Sequence, residues 1–275
     1  MALSTNQWSA DDIVTVQLNR VNDTASFQML HRNYSDQVAT AIASGGWQSF
    51  EPPMPTIYYS HVSKVPGLVI DIGINTGFYA LLACAASDMN TVLGFEPNPK
   101  VHAFLQQNLE LSRLVNRIDV LPLALSNREG RANLYVPDAS HGLVETASSL
   151  DAAWTSAYSE IIEVSVSTLD TVLSSAEWQG KRVSTIKIDV EGHELSVLEG
   201  AAATIGKSRP LIFVEILHRA DYAALSRLIA DHEYFDVPLR PGAVLSACTK
   251  VAFDQAAWNH AFVPAELLSS FLREK

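Results

Sequence analysis

The stretch "DIGINTG", residues 71–77, constrains the fold of this chain more than any other. It follows the apolar run "GLVI" and precedes the apolar run "FYALLACAA". Gly73 allows the chain to turn sharply, and Gly77 removes a side chain where a helix would begin. A strand, a glycine-bearing turn and a helix in this order often hold a nucleotide-like cofactor, because the free N–H groups of the helix start favour an anionic group. An ordinary strand-to-helix turn would show the same pattern.

The rest of the chain alternates between strand and helix patterns with the spacing of βαβ units. We therefore expect an α/β fold built on a doubly wound, mostly parallel, Rossmann-like sheet. The predicted strands are "GLVIDIG", "TVLGFEP", "IDVLPLALS", "VSTIKID" and "PLIFVEI", and the predicted helices cover 78–87, 99–112, 192–203 and 219–232.

The segment before this core is predicted to form a small substrate-side unit. Residues 12–31 alternate weakly and predict a hairpin. Ser35 is expected to cap a short helix over 36–44, and three prolines within 52–55 indicate a loop. We assign residues 1–65 to an N-terminal cap that contributes to substrate choice.

The remaining chain, 66–275, is predicted to be one catalytic domain with an insertion. Residues 127–182 break the alternation and predict an inserted β-hairpin with a connecting helix near 168–177. At the end of the chain, "YFDVPL" and "ACTKVAF" predict a closing antiparallel pair.

Composition excludes several classes of partner. The 275 residues carry a formal net charge of -11, which argues against binding to nucleic acid or to an anionic membrane. No apolar run reaches the length of about 18 residues that a membrane span needs. The N-terminus lacks the pattern of a signal peptide, and Cys84 and Cys248 form no metal-ligand spacing. We expect a cytoplasmic protein in which Cys84 is a buried free thiol.

The strand after the glycine loop ends in an acid that suits a ribose. Glu96 is followed by Pro97 and Asn98, and a carboxylate there can accept hydrogen bonds from both ribose hydroxyls. A dinucleotide fingerprint would place a glycine where Asn75 stands, and no Tyr-x-x-x-Lys pair of short-chain reductases occurs. An acid at Asp71, two residues before the first glycine, is typical of methyltransferases. The predicted cofactor is therefore S-adenosylmethionine.

Six segments together resemble one family. They are "VIDIGINTGFYALLA", "GFEPNP", "ALSNREGRANLYV", "VSTLD", "IKIDVEGHELSVLEGA" and "PLIFVEI", with a fainter likeness in "NHAFVP". In this order they are similar to the FkbM family of S-adenosylmethionine-dependent methyltransferases. The resemblance implies a class I methyltransferase fold and O-methylation of a hydroxyl on a natural product or a sugar.

The resemblance also implies roles for individual residues. The loop around the cofactor would be formed by Asp71, Gly73, Asn75 and Gly77, with Phe78 beginning the helix. Glu96 would hold the ribose beside Pro97 and Asn98. The adenine would be bordered by Leu125 and Ser126, and the cofactor's amino group would be near Asp189.

The stretch "KIDVEGHE", residues 187–194, carries the clearest catalytic pattern. Ligands in open α/β sheets bind at the carboxyl ends of the strands, so Asp189, Glu191 and His193 should face the transferred methyl group. An alcohol becomes a good nucleophile only when its proton is removed, and a carboxylate or an imidazole can accept that proton. We interpret Glu194 as a solvated residue of a first helical turn.

The next strand offers a second candidate pair, Glu215 and His218. A glutamate inside "IFVEI" suggests function, because a buried unpaired charge is costly. These acids are also chemically suitable metal ligands, but the Asp-Asn pair of metal-dependent catechol-type enzymes is missing, so we expect no metal. The general base is predicted among Glu191, His193 and Glu215, with Asp189 mainly positioning.

Two other functions remain open from the sequence. A nicotinamide-dependent reductase could use the same fold, and a non-catalytic module could sense the cofactor for a partner protein. The expected partner is a small-molecule hydroxyl acceptor. Tyr58, Tyr59 and His61 either line a substrate mouth or pack in the core, and packing is slightly favoured. Trp154 and Tyr158 have the same two interpretations.

Overall fold

The computed structural model describes residues 8–31, 35–137, 147–152 and 158–273 of the 275-residue chain. Within these residues, no helix combines the length and the apolar character that crossing a membrane would require. Trp154 lies outside the described ranges.

The N-terminal segment begins with the predicted hairpin, which the structure confirms. β1 (Ile13–Asn19) and β2 (Thr24–Leu30) pair antiparallel along their full length. The helix α1 (Gln37–Gly45) follows, but Asp36 rather than Ser35 is its cap, because the Asp36 carboxylate accepts from two backbone N–H groups of the first turn. The predicted proline loop is wrong in its second half, since α2 (Met54–Lys64) begins there and tolerates Pro in its first turn.

The core alternates between strands and helices as the sequence predicts. Most predicted boundaries are correct to within about two residues. The elements are β3 (Leu68–Ile72), α3 (Phe78–Ala86), β4 (Thr91–Phe95), α4 (Pro99–Ser112), β5 (Ile118–Leu121), β6 (Ala124–Leu125), β7 (Gly130–Pro137), β8 (Tyr158–Ser167), α5 (Leu169–Leu173), β9 (Val183–Ile188), α6 (Glu194–Glu199), α7 (Ala202–Ser208), β10 (Leu211–Glu215), α8 (Tyr222–Asp231), β11 (Tyr234–Pro238), β12 (Asn259–Pro264) and α9 (Ala265–Phe271).

The main sheet has the strand order β11-β12-β10-β9-β3-β4-β5. The pairs of β3 with β4 and β9, of β4 with β5 and of β9 with β10 are parallel, whereas β12 runs antiparallel to β10 and β11. Chain order reverses direction across β3, so the switch point lies between β3 and β9. The predicted doubly wound, Rossmann-like fold of class I methyltransferases with one antiparallel closing strand is confirmed.

Each face of the sheet has its own buried cluster. On one face, Val69 and Phe213 pack with helices α1 to α3 and the N-terminal hairpin. On the other face, Ile70, Ile186 and Val214 pack with helices α5 to α8. The N-terminal segment therefore shares a core with the sheet, because residues of β1, β2 and α2 belong to the first cluster.

Three details of the predicted core are wrong. "IDVLPLALS" forms two strands in different sheets, because Pro122 separates β5 from β6. The helix over 192–203 is interrupted at Gly200, where an added Cβ would lie 2.0 Å from the carbonyl oxygen of Ser126. The partner of β11 is β12, while the "ACTKVAF" segment contributes only a bridge from Cys248 to Asp236.

The predicted insertion forms a separate small sheet. β7 and β8 are the antiparallel hairpin, and β6 pairs parallel with β8. Leu134 and Val164 belong to the buried cluster that joins these strands. The described residues of this unit place Leu134, Ser148 and Leu150 next to the carboxyl edge of the main sheet, beside the cavity described below. Cys84 is buried and free, as predicted.

Candidate active site

A cavity of about 890 Å³, open solvent at its mouth included, lies at the carboxyl edge of β3, β4, β9 and β10. This edge is where open α/β sheets bind their ligands. One end of the cavity is formed by the glycine loop, Glu96 and an apolar wall, and the other end is acidic.

The glycine loop folds tightly against the ends of its neighbouring strands. Gly73 has a φ of 74°, and a Cβ there would lie 1.9 Å from the carbonyl oxygen of Asp189. Only glycine therefore allows β3 and the end of β9 to approach this closely. The N–H groups of Gly73 and Ile74 both donate to the carbonyl of Phe95 at 3.1 Å. Asn75 has a left-handed φ of 55°, which its short polar side chain tolerates.

Glu96 is held in place by this loop. Its Oε2 accepts from the Asn75 N–H at 3.2 Å, and its Oε1 accepts from the Asn98 N–H at 2.8 Å. Burial raises the pKa of Glu96 to about 7, although these two N–H groups oppose the shift. The carboxylate faces the cavity with a fixed orientation and keeps lone pairs free for further donors.

An apolar wall continues from Glu96. Leu125 lines the cavity as predicted, and Ser126 is buried directly behind it. Such a wall of apolar side chains is typical of small-molecule sites. Its other members, which the sequence did not single out, are Phe95, Val101, Leu123, Ala124, Leu134 and Leu150.

The acidic end gathers the strand-end carboxylates. Asp189, Glu191 and Glu215 each have one carboxylate oxygen within 4.8 Å of the others, and all three are partly buried. Glu51, from the loop before α2, joins them and accepts from the Tyr79 hydroxyl at 3.1 Å. Glu51 could not be identified from the sequence, because a single glutamate before two prolines is typical of a surface loop.

Lys187 is the cation beneath this cluster. Its Nζ lies 3.1 Å from Asp189 Oδ2, and Asp71 is its neighbour across the parallel strands β3 and β9. Burial alone would lower the pKa of Lys187, but the carboxylates of Asp189, Asp71 and Glu51 outweigh burial and raise it. Asp71 is buried, and neither of its oxygens has a hydrogen-bond partner among the described residues.

Burial and mutual repulsion make the remaining carboxylates of the cluster reluctant to ionise. Burial raises the pKa of Glu51, Glu191 and Glu215, and the neighbouring Asp189 raises each further. The pKa is raised to about 7 for Glu51, about 8 for Glu191 and about 10 for Glu215. These groups therefore keep protons at a pH where an ordinary carboxylate would be fully ionised.

His193 lines the cavity, whereas Glu194 does not behave as predicted. His193 Nε2 lies 2.9 Å from the Ser126 hydroxyl oxygen, and burial lowers the pKa of the ring. The prediction that Glu194 is solvated is wrong, since it is only 3% exposed. Its Oε1 accepts from the Gly192 N–H at 2.9 Å, which stabilises the turn after Glu191.

The cavity collects only part of the predicted set. All four predicted catalytic residues line it, and so do six of the predicted cofactor residues: Gly73, Asn75, Glu96, Pro97, Leu125 and Asp189. The other five are not among the described residues that line it. These five are all buried: Asp71, Gly77, Phe78, Asn98 and Ser126.

Other predicted positions lie away from the cavity. His218 is exposed and contacts Phe253, so the pairing with Glu215 is wrong. Tyr58 is fully buried against Phe213 and His61 is buried beside it, which confirms packing rather than a substrate mouth. Tyr59 donates to the Asn19 carbonyl in the hairpin.

Tyr158 lies in the small sheet of the insertion. It is 43% exposed, and its ring packs against that of Tyr135 at a centroid distance of 5.1 Å. Neither of the two rings is among the described residues that line the cavity.

Known proteins resemble this chain over its core. Residues 71–236 match the family described as the methyltransferase FkbM domain. Methyltransferase 1 of Beauveria bassiana is 28% identical over 144 residues, which cover 48% of this chain and 57% of that protein. The hexuronic acid methyltransferase AglP of Haloferax volcanii is 29% identical over 164 residues, which cover 58% of this chain and 60% of that protein.

A solved structure is also among the similar proteins. The methyltransferase FkbM from Methylobacillus flagellatus is 16% identical, with a TM-score of 0.48, over 82% of this chain and 54% of its own. The chain spans less than two thirds of the length of the relatives named above. The family match covers more than half of the chain and includes the glycine loop, Glu96 and the acidic strand ends. The chain therefore belongs to the FkbM methyltransferase family.

Proposed function

We propose that this protein transfers the methyl group of S-adenosylmethionine to a hydroxyl of a small molecule. The observation that carries the proposal is that one cavity has Glu96 and an apolar wall at one end and titratable carboxylates at the other. The first end suits a nucleoside, and the second suits a cation and the removal of a proton.

The donor set of the cavity fits this cofactor. Glu96 would accept from the ribose hydroxyls, and the wall around Leu125 would hold the adenine. Asp71 supports the fit, because its buried oxygens lack partners among the described residues next to the loop that would receive the amino-acid portion. When bound, the cofactor supplies an electrophilic methyl group on a sulfonium, and the acidic end favours that positive charge.

The protein's own contribution is alignment and proton removal. Methyl transfer needs the acceptor oxygen held in line with the methyl group, which positioning alone can accelerate strongly. Glu191 and Glu215 are the carboxylates best placed to accept the hydroxyl proton, because both line the cavity. Their raised pKa values make each a stronger base once it has lost its own proton. His193 is the third candidate, and Asp189, already bound by Lys187, is assigned to positioning.

The test combines binding with product analysis. Calorimetry should show binding of S-adenosylhomocysteine and none of NAD, since the loop lacks a glycine at Asn75. Incubation with S-adenosylmethionine and a panel of alcohols should give S-adenosylhomocysteine together with a product heavier by one methylene. Binding of NAD instead would support a reductase. Binding of the cofactor without transfer to any member of the panel would support a non-catalytic module.

A further inference from the structure

A second cleft, which we name the outer cleft, lies on the other side of Glu51. It encloses about 440 Å³, open solvent included. Glu51 lines both this cleft and the cavity of the active site. The remaining lining residues are Pro52, Leu239 and the segment 255–259. All of them lie outside the residues 71–236 that match the family.

The outer cleft adjoins the acidic end of the cavity, and strand pairing and hydrogen bonds hold the residues between them in place. Asn259 is the register partner of Glu215 across β12 and β10, so the cleft begins where the strand-end carboxylate stands. The Tyr79 hydroxyl holds Glu51 Oε2 at 3.1 Å. His260 bridges Asp236 at 2.7 Å and the Ala257 carbonyl at 3.1 Å, which anchors the 255–259 segment to the sheet.

The lining has a definite chemistry. Trp258 is 54% exposed and offers an apolar surface, whereas Gln255, Asn259 and Glu51 offer amide and carboxylate groups. An exposed indole beside such groups suits a ring with hydroxyl substituents, whose apolar face can pack on the indole.

The charges of the residues in and next to the outer cleft indicate which charge the ligand can carry. None of the described residues that line the outer cleft is a lysine or an arginine. Arg240, next to Leu239, is paired with Asp254. Beyond Glu51 lie Asp189, Glu191 and Glu215, each with one carboxylate oxygen within 4.8 Å of the others. A negatively charged ligand would add a further charge to a partly desolvated cluster whose glutamates already keep protons because they are buried and their charges repel.

We propose that the outer cleft is the acceptor site and that it takes a hydroxyl-bearing ring without negative charge, with Glu51 contacting the hydroxyl group. This inference rests on the proposed function, because it places the acceptor on the far side of the methyl group from the nucleoside end. An acceptor without negative charge would differ from a hexuronic acid, which the name of one relative gives as that protein's substrate.

The test uses one ring in three charge states. The probes are trans-cyclohexane-1,2-diol, trans-2-aminocyclohexanol and trans-2-hydroxycyclohexanecarboxylate, titrated into protein saturated with S-adenosylhomocysteine. Proton–nitrogen NMR of the indole N–H groups reports binding, and the Trp258→Phe variant assigns the Trp258 signal. We expect the diol and the amine to shift the Trp258 signal and leave that of buried Trp178 unchanged. The carboxylate should bind at least about tenfold more weakly.

A charge variant tests the role of Glu51 directly. Glu51→Gln should reduce the preference for the amine over the carboxylate several-fold while it leaves the affinity for S-adenosylhomocysteine within about twofold. The matched variant Glu177→Gln, at an exposed site, should change neither. The proposal is overturned if no probe shifts the Trp258 signal or if the carboxylate binds as tightly as the diol. Failure of S-adenosylhomocysteine to bind would instead refute the proposed function.

Discussion

The Nζ atom of Lys187 lies 3.1 Å from Asp189 Oδ2, directly beneath the acidic end of the cavity. The side chain of Lys187 is 5% exposed, and its register partner Asp71 is buried as well. Lys187 therefore lies beside one buried and one partly buried carboxylate, and its charge opposes the rise that burial causes in the pKa of Asp71. Removal of one partner from a buried pair leaves an uncompensated charge, and that loss is costly.

Lys187→Met should accordingly destabilise the protein by about 3–5 kcal/mol. Urea unfolding at neutral pH measures the change in the free energy of unfolding. Lys207→Met, at an exposed position on α7, serves as the control and should stay within about 0.5 kcal/mol of the parent. Equal unfolding midpoints for Lys187→Met and the parent would show that Asp71 and Asp189 are neutral without the lysine.

Glu96→Ala should weaken binding of S-adenosylhomocysteine by about 1.5–3 kcal/mol, the range for hydrogen bonds to a charged group. The fold should survive, because Glu96 stands at a strand end, and thermal unfolding checks this. Glu96→Gln keeps one acceptor oxygen for the ribose and should lose less than Glu96→Ala. Glu110→Ala, exposed on α4, is the control. Unchanged calorimetric affinity in Glu96→Ala would remove this residue from the cofactor site.

The sequence predicts the glycine-loop end of the cavity well because that end is built locally. The glycine loop and Glu96 are each fixed by their position after a strand, and parallel strands bring their carboxyl ends to one edge. Asp189 and Glu215 could be placed in the same way. The order of the strands follows from the alternation of elements and from the handedness of parallel crossovers.

The position of Glu51 beside the cavity could not be predicted, because long-range contacts determine it. Glu51 reaches the cavity only through the packing of α2 on α3, where Tyr79 holds it. Two segments could have paired with β11. β12 pairs with it at five positions, whereas the segment around Cys248 forms a single bridge to it. Gly200, where one helix ends, lies so close to the Ser126 carbonyl, 74 positions earlier, that a Cβ would not fit, and no local pattern reveals this approach.

The general base is expected among the two carboxylates rather than at His193. All three side chains line the cavity, but the His193 ring is engaged with the Ser126 hydroxyl. A general base contributes about 10²–10⁴-fold in rate. Glu191→Gln or Glu215→Gln should lose turnover on that scale with cofactor affinity retained, and His193→Asn should lose less. Single-turnover rates with an accepted alcohol measure this.

The pH profile refines the assignment of the base. A carboxylate base with the ordinary pKa of about 4.3 would give a flat profile at neutral pH, but burial raises the pKa of Glu191 to about 8. We therefore expect the rate to rise with pH from neutral upward for a carboxylate base, and to lose this rise in the variant that removes it. Near-full turnover in all three variants, with chemistry rate-limiting, would place proton removal elsewhere.

The free protein should lose stability as the pH rises above neutral. Burial raises the pKa of Glu96, Glu191 and Glu215 above the value of about 4.3 in an unfolded chain. Above that value the unfolded state has released these protons while the native state retains them, so the free energy of unfolding falls until the native groups ionise. Glu215→Gln removes one such group and should flatten the decline, whereas Glu110→Gln should not.

Urea unfolding at about pH 5, 7 and 9 measures this dependence. The free energies of unfolding of the two variants and the parent should be most similar at the lowest pH, where the native carboxyl groups are neutral. The explanation would be wrong if the free energy of unfolding of the parent increased with pH, or if its slope against pH were the same in Glu215→Gln. Either result would mean that other groups, rather than bound protons, reduce the repulsion between these carboxylates.

Metal removal should leave methyl transfer intact. Asp189, Glu191 and Glu215 have the oxygen ligands that Mg²⁺ prefers, and one oxygen of each lies within 4.8 Å of the others. However, Asp189 is already bound by Lys187, and the raised pKa values of Glu191 and Glu215 mean that protons relieve the remaining repulsion. Activity after dialysis against EDTA should equal that of untreated protein, and added Mg²⁺ or Mn²⁺ should change it less than about twofold. If EDTA abolishes activity and a divalent ion restores it, the three carboxylates are ligands, and the proton of the acceptor hydroxyl must leave by a route that does not use Glu191 or Glu215 as a free base.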